Sequence, residues 1–123
     1  MTDIQEALRE ESILELEGKT WRVGPTTVEV IRQWEQWMQQ ETMAIMLRAV
    51  GPLGMEAQRG AFDSVARLAA NGDFDFFGEP SLRRMGTVEG KTKLLYWRLQ
   101  PNHLDLDEKK VRGWVETESL KIG

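Results

Sequence analysis

The chain has 123 residues, 29% of them charged, and a formal charge of −4. That length argues for one domain, and the mild acidity argues against a general phosphate-backbone binder, which needs concentrated positive charge. With no cysteine and a single histidine, His103, the chain cannot build a disulfide framework, a thiolate nucleophile, a cysteine-ligated zinc site or a site of several histidines.

Residues 1–10 place Ile4, Ala7 and Leu8 at helical spacing, which predicts a short charged helix. The opening Met1-Thr2-Asp3-Ile4-Gln5-Glu6 lacks the basic start and apolar run of a secretory signal. No segment approaches 18 consecutive apolar residues, so no membrane-spanning helix is expected. A cytosolic location follows as the simplest expectation.

Residues 12–23 predict a β-hairpin. Ser12-Ile13-Leu14-Glu15-Leu16 and Lys19-Thr20-Trp21-Arg22-Val23 alternate on either side of Glu17-Gly18. Leu14 and Leu16 share one face, and Trp21 and Val23 share another. Two strands alone are unstable, so the hairpin must pack on a helix or gain strands from a partner.

Residues 26–50 predict the longest helix. Thr26 caps it, and Glu29 three residues later completes a capping box. Val28, Ile31, Trp34, Met38, Ile45 and Ala49 form a broad apolar face, widened by Trp37, Ala44, Met46 and Leu47. Gly51-Pro52-Leu53-Gly54 ends it. A second helix follows over 55–70, with Gly60 weakening its middle and Asn71-Gly72 stopping it. The short joint predicts an antiparallel pair. Residues 73–80 read as an aromatic loop carrying Phe74, Phe76 and Phe77, and Ser81 opens a short helical turn to Met85.

A third helix is expected over 88–100, dominated by Leu94, Leu95, Trp97 and Leu99, and halted by Pro101. Asp105, Asp107 and Glu108 can cap a last helix over 107–117 with the stripe Val111, Trp114 and Val115. The tail, 118–123, is expected to fray. The fold class is mainly α: a small helical domain with an N-terminal β-hairpin.

No catalytic constellation emerges. His103 lies beside Asp105 and Asp107, but these fit helix capping, and the histidine reads as a loop residue bonded to backbone. Gly90-Lys91-Thr92 lacks the upstream glycine of a phosphate loop, because that position holds Met85. Arg83, Arg84, Lys91, Lys93 and Arg98 read as a solvated basic helix face, so nucleic acid is not an expected partner. No enzyme, cofactor or metal is expected.

The longest helix is the exception. Trp34, Trp37, Met38, Met43 and Met46 cannot all point one way at about 100° per residue, and a small interior has few elements to cover them. With Phe74, Phe76 and Phe77 they form the candidate partner-binding set, suited to seating an apolar helix because methionine is flexible and polarizable.

The order of segments resembles the tail assembly chaperones of long-tailed bacteriophages. The likeness rests on the turn Leu16-Glu17-Gly18-Lys19-Thr20-Trp21 and on the leucine-rich Leu94-Leu95-Tyr96-Trp97-Arg98-Leu99. It continues through Asn102-His103-Leu104-Asp105-Leu106-Asp107 and a capped helix from Val111 to Val115. It covers roughly residues 12–117. Two positions depart from the family pattern: Leu104 stands where a proline is usual, and Asp107 where a threonine is. The resemblance implies a non-enzymatic adaptor in the host cell cytoplasm that binds the tape measure protein and helps recruit the tail tube protein. The rival expectation is a connector or tail-completion subunit that forms a ring in the virion.

Overall fold

The structure, a computed structural model, describes residues 12–122, with side chains over 13–117. The helix expected over 1–10 lies outside the described residues. The described chain is mainly helical with one antiparallel hairpin, the expected fold class. The described chain divides into two compact units. One comprises residues 12–31 and 83–122, and the other residues 32–82.

In the first unit, β1 (Ser12–Leu16) pairs with β2 (Lys19–Val23) across the turn Glu17-Gly18. Both turn residues have positive φ, 55° and 72°. This is the left-handed pair that a two-residue hairpin loop needs to follow the strand twist. The register sets Leu14 opposite Trp21, Ser12 opposite Val23 and Leu16 opposite Lys19. Leu14, Leu16, Trp21 and Val23 therefore share one face, which corrects their expected division between two. Ile13 and Glu15 point the other way and are exposed.

The hairpin face packs on a helix pair. Leu14 and Val23 join Leu95, Leu99, Leu106, Val111, Trp114 and Val115 in one core, with Leu16, Trp21, Val88 and Tyr96 around it. Burying an aliphatic side chain contributes about 1.5–3 kcal/mol, and this makes a two-stranded sheet viable. Helix α1 (Val28–Val50) starts in this unit. Its cap is Thr27, one residue later than expected. The Thr27 hydroxyl accepts the Val30 N–H at 3.2 Å. The third helical position is thus Val30 rather than Glu29, so the reciprocal half of the capping box cannot form.

At the other end of the unit, helix α4 (Val88–Leu99) runs into a 3-10 turn (Gln100–Asn102), and helix α5 (Glu108–Ile122) closes the chain. Thr87 caps α4 by accepting the Gly90 N–H at 3.0 Å, and Asp107 caps α5 by accepting the Lys110 N–H at 2.8 Å. The last helix extends past residue 117, into the segment expected to fray. Arg98, assigned from sequence to a solvated basic face, is instead buried at 1% exposure. Its Nε donates to the Gly24 carbonyl at 2.8 Å, and its own carbonyl accepts the Gly24 N–H at 2.9 Å. The reciprocal pair fixes the end of β2 to α4. Burial pushes the guanidinium pKa down, because the charged form loses water.

Helix α2 (Met55–Ala70) and helix α3 (Glu79–Met85) complete the described elements. In the second unit α1 turns through a 3-10 segment (Gly51–Leu53) into α2. Asn71-Gly72 ends α2 as expected. The Asp73 N–H reaches the Leu68 carbonyl and the Gly72 N–H the Ala69 carbonyl, at 3.0 and 3.1 Å, the paired closure of a helix C-terminus.

Gly90, in the first turn of α4, has a steric reason. A Cβ there would lie 1.9 Å from the Arg84 carbonyl oxygen, which is backbone at the end of α3. Gly60, by contrast, has open space around it. Gly90→Ala should therefore destabilise the protein by about 2 kcal/mol or more through enforced backbone displacement. Gly60→Ala should stabilise it by about 0.5–1 kcal/mol through helix propensity. Urea unfolding of the two variants checks both signs.

The turn carries a second testable feature. The Lys110 ammonium lies 3.2 Å from the exposed Glu17 carboxylate, and the Trp114 indole N–H is near the same carboxylate. The indole N–H first, and the lysine second, hold the Glu17 carboxyl below its ordinary 4.5. A depressed folded pKa stabilises the fold above the unfolded value and loses that contribution as pH falls through the folded one. Glu17→Gln should thus be less stable than the parent at neutral pH. The gap should close as the pH is taken below 4.5, as read from denaturation midpoints across pH.

Candidate functional site

The eight side chains singled out from sequence separate into two groups. Trp34, Trp37, Met38, Phe74 and Phe76 are buried within the second unit. Trp34 is fully enclosed. Its indole N–H donates to the Ser81 hydroxyl at 2.9 Å, and that hydroxyl donates to the Asp75 carbonyl at 2.7 Å. The Trp37 ring meets Trp34 edge-on at 5.1 Å, and Phe76 meets it edge-on at 6.0 Å. The Phe76 N–H donates to the Glu35 carboxylate at 2.7 Å, and the Trp37 indole donates to Glu41 at 3.1 Å. Every polar edge of the two indoles is thus satisfied inside the unit. This corrects the sequence reading: these five residues are an internal aromatic lock, because the 73–78 loop folds back over α1 and closes the face.

Met43 and Met46 are half-buried, and Phe77 is 79% exposed. Phe77 and Leu82, also exposed, occupy the two positions of a hydrophobic staple around Gly78 at the start of α3. The Phe77 ring meets Phe76 edge-on at 5.1 Å.

Met43 and Met46 belong to a larger surface. No residue from Gln39 to Gly60 is buried. Within that stretch the 13 residues from Met43 to Met55 carry one charge, Arg48, whose Nε–H folds back toward the Ala44 carbonyl. Ile45 is 54% exposed, Leu53 72% and Met55 79%. At about 100° per residue Ile45 continues the row of Trp34 and Met38, while Met43, Leu47 and Val50 lie on the opposite side and Met46 between them. The distal end of α1 is apolar around most of its circumference, interrupted by the exposed Arg48, a pattern close to that of buried helices. The surface is a nearly uncharged, flexible-sided patch formed by the end of α1, the 3-10 turn and the first residue of α2.

Sequence reasoning missed Ile45, Leu53 and Met55 as surface residues. Ile45 was placed in the core stripe and Leu53 in a helix stop. The available signal was the nearly uncharged run itself, longer than the interior that follows it can cover.

The first unit holds a groove of about 470 Å³ lined by Lys19, Trp21, Asn102, His103, Asp105 and Lys110, among others. The Trp21 ring is already occupied. His103 and Trp114 stand against it at 5.0 and 4.9 Å, and the Lys110 ammonium lies 5.8 Å from its centre. His103 Nε2 accepts the Arg22 backbone N–H at 2.9 Å, which places any proton of the neutral ring on Nδ1. The groove thus fastens β2 to the α4–α5 connection and offers no nucleophile with a base to activate it. Among the described residues no three His, Asp or Glu side chains converge as metal ligands, and no helix is long and apolar enough to cross a membrane.

Scans against protein-family models, curated proteins and solved structures find no match to this chain.

Proposed function

We propose that this protein is a non-enzymatic assembly adaptor of the tail assembly chaperone kind, which covers apolar helical segments of a tape measure protein before the tail closes around it. One observation carries the reading: the stretch from Met43 to Met55 is almost uncharged and none of it is buried. Surface of that composition is costly in water and is normally covered by a partner. Three methionines in it, Met43, Met46 and Met55, suit a site that accepts varied apolar side chains along a long helical ligand.

The magnitudes constrain the mode of binding. Covering Ile45, Leu53 and Met55 gains on the order of 3–6 kcal/mol, while association costs roughly 4–15 kcal/mol in lost freedom. Three side chains alone do not hold a partner. The contact must also draw on the half-buried Met43, Met46, Leu47 and Val50, and because Met43, Leu47 and Val50 face away from Ile45, the ligand must wrap around the distal end of α1 rather than lie along one side of it.

The test uses exposed positions only. Substituting Ile45, Leu53 and Met55 together by glutamine leaves every buried side chain in place, so the helical circular dichroism should be unchanged. Coexpressed with the tape measure protein, the parent should keep it soluble and co-purify with it, and the triple variant should lose at least about tenfold in capture, equivalent to 1.4 kcal/mol. Undiminished capture by the triple variant contradicts the assignment. Polar replacement of Trp37 and Met38 is not an equivalent test, because both are buried and their loss would unfold the unit.

A further inference from the structure

The outer edge of β2 is tied down partly by a group that titrates. In a hairpin with a two-residue loop, the residues flanking the loop exchange both hydrogen bonds, and such pairs alternate with pairs that do not. Leu16 and Lys19 flank the loop. Leu14 with Trp21 and Ser12 with Val23 are therefore the other bonded pairs, and the peptide groups of Thr20 and Arg22 point away from β1. The Arg22 N–H finds its acceptor outside the hairpin. It donates to His103 Nε2, in the connection between α4 and α5, at 2.9 Å. Two residues on, the Gly24 N–H donates to the Arg98 carbonyl at 2.9 Å, and the Gly24 carbonyl accepts the Arg98 Nε–H at 2.8 Å.

These two ties differ in chemistry. The one at Gly24 uses backbone groups and a guanidinium, none of which changes protonation near neutral pH. The one at Arg22 exists only with a neutral imidazole. Nε2 accepts through its lone pair, and a proton there turns it into a donor facing another donor. His103 is the chain's single histidine, and histidine is the side chain that ordinarily changes charge between about pH 5 and 8. The ring is half-buried, at the wall of the groove of about 470 Å³, so protons reach it without unfolding. The charged side chains lining the same groove are Lys19 of β2, Asp105 of the connection and Lys110 of α5, whose ammonium is paired with Glu17. Lys19 and Lys110 oppose a further positive charge and Asp105 favours it. The Trp21 ring, 5.0 Å from the imidazole, attracts the charged form, but an indole has no acceptor to offer the Arg22 N–H.

We infer that His103 is a pH-operated latch on the outer edge of β2. With the ring neutral, Nε2 closes the edge at Arg22. In mild acid Nε2 becomes a donor, the backbone bond is lost, and the Arg22 peptide turns to the water of the groove. The release is local, because the tie at Gly24 does not titrate and keeps the end of β2 on α4. Linkage fixes the sign. The bond is made only in the folded state and only by the deprotonated ring, so across this titration the unfolded chain binds more protons and stability falls as the pH is lowered. The window lies above that of Glu17, whose contribution is lost below 4.5, so the two effects separate along the pH axis. The latch is independent of the apolar end of α1, which belongs to the other unit.

Amide exchange of the full chain tests the latch. Protection of the Arg22 amide, taken relative to its intrinsic exchange rate at each pH, should fall about three- to tenfold between about pH 7.5 and 5.5, while protection of the Gly24 amide should hold. His103→Gln replaces the imidazole by an amide whose oxygen accepts and does not titrate, and it should remove the pH dependence at Arg22. Arg22 protection that stays constant in the parent over this range overturns the proposal, as does a fall of the same size in H103Q. The imidazole itself supplies a reading that needs no variant. NMR correlation of the ring nitrogens with the ring carbon-bound protons should show a proton on Nδ1 and a bare Nε2 at about pH 7.5. A ring carrying its proton on Nε2 under those conditions overturns the assignment.

Discussion

The length of α1 set against the reach of the core that packs on it organises the functional side of this protein. Twenty-three residues make a rod of about 34 Å, and within the second unit it is buried only at Trp34, Trp37 and Met38. The 73–78 loop and the buried Ser81 close over that segment, and the hydrogen bonds from Trp34 to Ser81, from Ser81 to the Asp75 carbonyl and from the Phe76 N–H to Glu35 hold the closure. Beyond the polar stretch from Gln39 to Thr42, the same helix carries one charge from Met43 to Val50 and none of those residues is fully buried. In the proposed function this end of α1 belongs to a partner.

The hairpin solves a different problem. Two strands are too few to stand alone, and here they survive because one face lies on α4 and α5 and one edge is bonded to His103 and to the backbone of Arg98. The cost of burying the Arg98 guanidinium is offset by its bond to the Gly24 carbonyl, the kind of pairing a buried charge requires.

Periodicity and stop signals made the elements legible. The Glu17-Gly18 turn, the Gly51–Gly54 break and the Asn71-Gly72 closure all fall where the residue chemistry puts them. The capping of α1 shifted by one residue because Thr26 and Thr27 are chemically equivalent candidates, and only the path of the chain chooses between them. Tertiary relations were not legible. Nothing local distinguishes Trp34, which a loop more than thirty residues later encloses, from Ile45, which no loop reaches, because both lie on the same helical row. Arg98 shows the reverse error: a lysine- and arginine-rich stretch reads as solvated unless a carbonyl is known to wait for one of its cations. The meaning of Gly90 appears only with the Arg84 carbonyl beside it. The functional reading keeps the idea of an uncovered apolar helix and moves it about two turns along α1.

The six methionines supply the most direct test of that relocation. With their methyl groups labelled for NMR, Met38 reports the enclosed core while Met43, Met46 and Met55 report the distal end. Titration with a tape measure protein segment should shift and broaden the Met43, Met46 and Met55 methyl resonances and leave that of Met38 in place. Movement of Met38 with those three unchanged would contradict the account.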